Sequence, residues 1–261
     1  MRIASVGHAV FAATLIGLGI LGLSQGDFTQ VWQPVPRDLP AREALVYLCA
    51  ILCVACGAGL LWQRTAAIAA RVLLVLFVLL TVLFKLRFIV LAPLQEGSYQ
   101  TCGENAAIIA GVWVLYAWFA TDWDRQRLGF ATGDRGVRIA RILYALAMIA
   151  FGLSHFVYLQ LTAPLVPTWL LWPVFWAYVT GGTYLLAGAA ILAGKYARLA
   201  ALLSTVQMAG FTLLVWIPIV IAGRMTPFQW GELVVSWTLT ASGWVVADSW
   251  IRPNSMQGNP G

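Results

Sequence analysis

Long apolar runs separated by short polar turns make up nearly the whole chain. Runs of membrane-spanning length fall at roughly 3–23, 43–62, 66–91 and 104–121, and again at roughly 138–159, 174–193, 197–222 and 229–251. None of them alternates with the period of two that marks a half-buried strand. In hydrocarbon each must satisfy its backbone internally, so each is predicted to be a helix. The pattern predicts an all-α, polytopic membrane protein with eight transmembrane helices. The fourth and eighth runs both open on a glutamate, Glu104 and Glu232, so their outer ends are approximate. Met1-Arg2 before an apolar stretch has the form of an export signal. No small-x-small cleavage site follows Gly22-Leu23-Ser24-Gln25, and the first run is read as a retained span.

The order of landmarks occurs twice. Gly19, then Trp32, Pro34 and Pro36, Tyr47, Gly57, Arg64, Gly103-Glu104 and Asp122-Trp123 are followed about 130 residues later by a second set. That set is Gly152, Pro167-Thr168-Trp169, Tyr178, Gly188, Lys195, Gly231-Glu232 and Asp248-Ser249-Trp250. A repeated order with little residue identity reads as duplication of one structural unit. The expected division is a first four-helix repeat at 1–121, a cytoplasmic linker at 122–137, a second repeat at 138–252 and a disordered tail at 253–261. An even number of spans per unit sends both units into the membrane in the same direction, as two parallel four-helix bundle repeats about an axis along the membrane normal.

Composition agrees with the pattern and excludes a soluble globule: 61% of residues are hydrophobic and 10% charged, with a mean hydropathy of +0.83. With both termini inside, eleven of the sixteen Lys and Arg residues fall in inner segments, a positive-inside bias that predicts cytoplasmic N- and C-termini. The net charge of +6 is then a topology signal and an affinity for anionic headgroups of the lipid bilayer. The bases are scattered over several loops, which argues against nucleic acid as a partner. Gly133-Asp134-Arg135-Gly136 in the linker lacks the Lys-Ser/Thr end of a phosphate loop and follows no strand.

Several motifs of the second half carry a family resemblance. Gly152-Leu-Ser-His155-Phe156, Val166-Pro167-Thr168-Trp169, Tyr178-Val-Thr-Gly181-Gly182 with Gly188, and Lys195-Tyr-Ala-Arg198 resemble the DoxX family of bacterial four-helix membrane proteins. The resemblance covers roughly 138–222, and the first half keeps only Gly19, Pro34, Pro36, Gly57 and Arg64 of it. It implies a compact helical unit in the bacterial cytoplasmic (inner) membrane. For some relatives it also implies a role as a small subunit of a thiosulfate:quinone oxidoreductase or of another membrane-bound redox assembly. The motifs are structural, so the activity does not follow from them.

Ionisable groups at membrane depth are costly unless paired or useful, so candidate chemistry is sought there. Each half carries a base near the outer end of its third span, Lys85 and Arg87 in one and Arg224 in the other, and a Gly-Glu opening the fourth, Glu104 and Glu232. One reading makes these pairs sites for the polar head of a lipophilic ligand such as a quinone. The other has the bases snorkel to the interface while each glutamate favours a helix N-terminus. His155 is either a ring hydrogen-bonded within the bundle or a ligand-head partner, and His8 reads as structural. At 1.5 Å per residue the two histidines differ by roughly 16 Å in depth, which rejects a haem held by both within one chain.

Cys49, Cys53 and Cys56 share one helix face, opposite which the second half has Thr180, Tyr184 and Ala187, and they read as packing residues. Cys102 lies in an outer loop, doubtfully within reach of Cys49 for a disulfide. Nine of the thirteen tryptophans, among them Trp32, Trp62, Trp169, Trp172 and Trp216, fall near predicted boundaries as an interfacial belt. Segments 31–40 and 165–173 are predicted to lie flat on the outer surface and roof a cleft between the halves.

The ligand-binding candidates are thus Arg87, Glu104, His155, Arg224 and Glu232, with no catalytic residue assigned, no metal site, and quinone as the one cofactor in view. The expected function is a membrane subunit or anchor of a quinone-linked redox system, accessory if it belongs to an enzyme at all. The alternatives are a small-molecule or lipid transporter and an assembly scaffold for redox or other membrane-complex subunits.

Overall fold

The computed structural model describes residues 4–223 and 225–251. The predicted tail at 253–261 and Arg224 lie outside the described residues. Within them every regular element is helical, and there is no strand. The first half runs α1 (Val6–Gln25), α2 (Arg42–Leu60), α3 (Ala66–Leu80), a π-helical turn (Thr81–Lys85), α4 (Leu86–Leu91) and α5 (Glu96–Phe119). A short α6 (Asp122–Arg127) follows, and then α7 (Gly133–Val157), α8 (Leu159–Thr162), α9 (Pro173–Leu192), α10 (Ala197–Phe211), a second π-helical turn (Thr212–Trp216), α11 (Ile217–Ile221) and α12 (Pro227–Asp248).

Seven helical stretches among the described residues are long and apolar enough to cross a membrane: α1, α2, Ala66–Leu91, α5, α7, α9 and Ala197–Ile221. The chain is a multi-pass membrane protein. The run expected to be the eighth span forms the helix α12, 22 residues long, but Gln229, Glu232, Ser236, Thr238, Thr240 and Ser242 keep it below the apolarity of the other seven, and it is not counted among them. Its place explains why that polarity is tolerated. Packed against α1, α5, α7 and α10, it buries Thr238 and Ser242 completely and meets little lipid. α5 is likewise central, with 72% of its most apolar stretch buried against 28% in each third span. The third spans are peripheral, and exposed Val75, Leu79, Val82 and Leu83 on one and Leu199, Leu203 and Val206 on the other form lipid-facing surface.

Both halves follow the same order of neighbours. α1 packs on α2, α2 on α3 and α3 on α5, as α7 packs on α9, α9 on α10 and α10 on α12. The first crossing of each half is close because its glycines let backbones meet. A Cβ at Gly19 would lie 2.5 Å from the Ala50 carbonyl oxygen, and one at Gly57 2.9 Å from that of Ala12. The counterparts in the second half are Gly152, 2.8 Å from the Gly181 carbonyl, and Gly188, 2.7 Å from that of Ala145. Across the halves α5 meets α7, α1 meets α12, and α5 meets α12. At that last crossing a Cβ on Gly111 would lie 3.1 Å from Ser242 Cα, and the Ser242 hydroxyl donates to the Ala107 carbonyl. Gly111 and Ser242 are 131 positions apart, the same separation as the two π-helical turns.

Each third span widens into its π-helical turn at a threonine. Thr81 donates to the Phe77 carbonyl at 2.6 Å and Thr212 to that of Met208 at 2.8 Å, so a side chain takes a carbonyl at the point where the i to i−4 ladder is interrupted. Pro218 follows the second turn, but Arg87 occupies the corresponding place after the first. Threonine is the shared element.

On the linker side, α6 docks through Asp124. The Thr121 hydroxyl and the Asp124 carboxylate form a capping box. Asp124 is fully buried and accepts from the Thr121 N–H at 2.9 Å, from Arg71 at 2.8 Å and from the Tyr116 hydroxyl at 2.9 Å. Burial alone raises its pKa, but the hydrogen bonds from Thr121, Arg71 and Tyr116 outweigh it and hold the carboxyl at about 2.

Two expectations follow. Gly188→Ala pushes a methyl into the Ala145 carbonyl and is expected to lower stability by about 1–3 kcal/mol in denaturant unfolding, whereas Gly182→Ala on the same helix, with nothing within 4 Å, is expected to be neutral or slightly stabilising. Equal losses at both positions would refute the close crossing. Asp124 has a folded pKa below its ordinary 3.8, so its contribution is present above about pH 4 and is lost as pH falls toward about 2. Asp124→Asn is expected to cost about 1–3 kcal/mol at neutral pH and to flatten that acid limb in pH-dependent unfolding.

Candidate functional site

Near the Glu104 end of the bundle lies a half-open cavity of about 310 Å³, lined mostly by the second half. Its walls are the last turns of α7 (Phe151, Ser154, His155 and Tyr158), α9 through Thr180 and Tyr184, α10 and the second π turn through Met208 and Thr212, and α12 through Glu232, Ser236 and Leu239. The remaining side belongs to the first half: Gln100 and Glu104 of α5 complete the wall. α5 is held there by two ties to α7. Ser154 donates to Glu96 Oε1 at 2.5 Å, and the Gly97 N–H donates to the Tyr158 hydroxyl at 3.0 Å. Leu161, Thr162 and Leu165 roof the cavity from the segment after α7.

Three of the five sequence candidates, Glu104, His155 and Glu232, come together here. Arg87 does not. It is exposed and stacks over Phe88, its guanidinium 4.9 Å from the ring centre. Arg224 lies outside the described residues. The base at the site is Lys85, two positions before Arg87 and therefore roughly on the opposite side of the helix. Lys85 is 1% exposed. Its ammonium donates to the Thr101 carbonyl at 3.1 Å and to Asn105 Oδ1 at 3.0 Å, and lies 3.8 Å from Glu104 Oε2. Asn105 donates in turn to the Thr81 hydroxyl at 2.8 Å. The π-helical turn of the first half is thereby fastened to α5. In the second half the corresponding positions are Trp216 and Ser236, and the indole N–H donates to the serine hydroxyl at 3.0 Å. Asn105 is a residue that sequence reasoning passed over, although an amide beside Glu104 in an apolar run was its visible signal.

His155 donates from Nδ1 to the Phe151 carbonyl of its own helix at 2.8 Å, because a carbonyl can only accept. Its ring lies 5.8 Å from that of Tyr184. His8, by contrast, is fully buried and meets the Leu60 carbonyl through Nε2 at 3.0 Å, a tie between α1 and the end of α2. Cys49, Cys53 and Cys56 are buried on α2, and all four cysteines are unpaired. Among the described residues no group of three or more His, Cys, Asp or Glu side chains gathers to hold a metal ion.

The first half closes the corresponding space with aromatic rings. Phe77, the counterpart of Met208, has the Trp32 ring 4.5 Å away, and Phe28 packs at 6.4 Å from Phe84. The segment expected to lie flat at 31–40 therefore begins inside the bundle, with Trp32 only 4% exposed. Its counterpart stays out, with Trp169 and Trp172 exposed. Trp216 is also buried rather than interfacial.

The fold is that of a polytopic helical membrane protein, and its cavity falls in the size range of small-molecule sites. The DoxX family model matches residues 136–216, from the start of α7 through the second π-helical turn, and marks this part of the chain as DoxX-like. No curated protein and no solved structure matches the chain.

Proposed function

We propose that this protein is a membrane subunit or anchor of a quinone-linked redox system and that it binds a lipophilic ligand in the cavity of its second half. The observation that carries the reading is the convergence of Glu104, His155 and Glu232 on one cavity of about 310 Å³ in a membrane-embedded bundle. Polar groups at that depth are expensive unless they meet a partner. The apolar remainder of the wall, Phe151, Leu161, Met208, Phe211 and Leu239, suits a hydrocarbon tail or ring, and the carboxylates and imidazole suit its head. The redox assignment rests on the DoxX match and the resemblance, since the described residues offer no metal cluster of their own. In this reading the chain positions a ligand for a partner rather than carrying electrons itself.

A transporter is the second reading. It is favoured by the wall's mixed origin, with α5 from one half facing α7, α9, α10 and α12 from the other, because relative movement of the halves would open such a site. We further propose that the two halves are duplicated units in the bacterial cytoplasmic membrane, with both termini cytoplasmic and the cavity on the periplasmic side. The recurring glycine crossings and paired π-helical turns support the duplication, and the distribution of basic residues supports the orientation.

Two measurements test these proposals. In nanodiscs, decylubiquinol binding is expected to weaken at least about tenfold on replacing Glu104 and Glu232 by Gln and His155 by Ala together, a loss corresponding to about 1.4 kcal/mol or more. Unchanged affinity would dismiss the site. For orientation, a cysteine in place of Leu94, which is 99% exposed, is expected to react with impermeant maleimide on intact cells in a Cys102→Ser background. Gly133→Cys is expected to react only after permeabilisation, and the reverse pattern would invert the topology.

A further inference from the structure

The hydrogen-bonding roles of the cavity wall define the head its ligand must carry. Glu104 and Glu232 present carboxyl oxygens, which only accept when ionised. His155 has its N–H committed to Phe151, which leaves Nε2 of the neutral ring able only to accept. Thr212 has its hydroxyl hydrogen committed to the Met208 carbonyl, and Ser154 has its own shared between Glu96 and Ala150. Among the described residues the one fixed donor nearby is Lys85, and its three N–H bonds have Thr101, Asn105 and Glu104 to meet. At 1% exposure it offers nothing further to a ligand. Tyr158, Thr180, Tyr184, Ser236 and Gln100 can each donate or accept, so they do not discriminate. Among the described residues, and with both carboxyls ionised, every wall group restricted to one role is an acceptor.

We propose that the cavity selects lipophilic molecules whose polar head donates hydrogen bonds, a quinol hydroxyl or an alkylammonium, over isosteric heads that only accept. This rests on the ligand-binding reading above and adds the chemistry of the ligand to it. An acceptor-only head would face carboxylate oxygens without a hydrogen between them, a buried mismatch costing more than the loss of an ordinary hydrogen bond. Oxidised and reduced forms of one quinone differ in little but that capacity.

The test uses the full chain in phosphatidylcholine nanodiscs, with decylubiquinol and decylubiquinone as paired probes. The quinol is expected to bind about tenfold or more tightly than the quinone, and the preference is expected to shrink toward parity in Glu104→Gln with Glu232→Gln. Decylamine is expected to displace the quinol and decanoate is not; the relative affinities of quinol and amine say which donor head the site favours. Equal binding of quinol and quinone, or displacement by decanoate, would overturn the proposal. Thr180→Phe separates this failure from that of the site itself. If the probes bind wild type without discrimination and Thr180→Phe abolishes that binding, the cavity is the site and the donor rule is wrong; if Thr180→Phe leaves binding untouched, the cavity is not the site and both readings fall.

Discussion

A polar group placed in hydrocarbon has no water to turn to, and this bundle is organised around meeting that requirement. Its polar side chains are concentrated where protein surrounds them. The Tyr144 and Ser204 hydroxyls meet at 3.0 Å between α7 and α10. Nearer the surface, the half-buried Gln207 accepts from the exposed Thr183 at 2.5 Å and donates to the Thr180 carbonyl at 3.1 Å, stapling α10 to α9. At the linker end Arg141 donates to Ser249 while its guanidinium lies 4.0 Å over the Trp250 ring. With these bonds made internally, α5 and α12 can be the least apolar long helices and still occupy the middle of the molecule. The exposed faces of the third spans, by contrast, are lined largely by aliphatic side chains such as Val75, Leu79, Leu203 and Val206.

The same requirement acts on the two π-helical turns and gives two solutions. Widening a helix by one residue disturbs its ladder, and each turn is steadied by a threonine within its own helix and by a side-chain bond to the fourth helix of its half. In one half that bond is Lys85 to Asn105 and in the other Trp216 to Ser236. An indole needs one acceptor. An ammonium needs three, and one of those Lys85 finds, Glu104, is also a wall of the cavity.

Much of the architecture was legible from apolar runs and repeated landmarks, because run length and close-crossing glycines are local properties. Gly19, Gly57, Gly152 and Gly188 sit where backbones meet. The start of α5 was not legible: Ser98, Tyr99, Gln100 and Thr101 look like loop, yet the helix begins at Glu96 because tertiary partners such as Ser154 and Tyr158 receive its first turn. α12 shows the limit of hydropathy in the same way, since a helix surrounded by protein need not be apolar all round. At the site, the sequence offered Lys85 and Arg87 close together, and the residue taken as a candidate was Arg87, whereas the buried one is Lys85. Helical geometry puts two such neighbours on different faces, and only packing decides which face is inside. The two proline-bearing segments looked equivalent, yet Trp32 turns inward beside a half whose α2 carries small cysteines, while in the other half Tyr184 stands at the position of Cys53 and Trp169 stays out.

That exchange of volume bears on where a ligand site can exist. With Phe28, Trp32 and Phe77 filling the first half, its corresponding space is occupied by the chain itself, and the second half keeps a cavity. The cavity is nonetheless not a property of the second half alone. Its wall is closed by Gln100 and Glu104 of α5, and the charge balance at its head depends on Lys85, also from the first half. A lone four-helix unit of the second kind would leave this side open to lipid and Glu232 without the neighbouring carboxylate and ammonium. The first half thus supplies one wall and the buried cation, and the second half supplies most of the space.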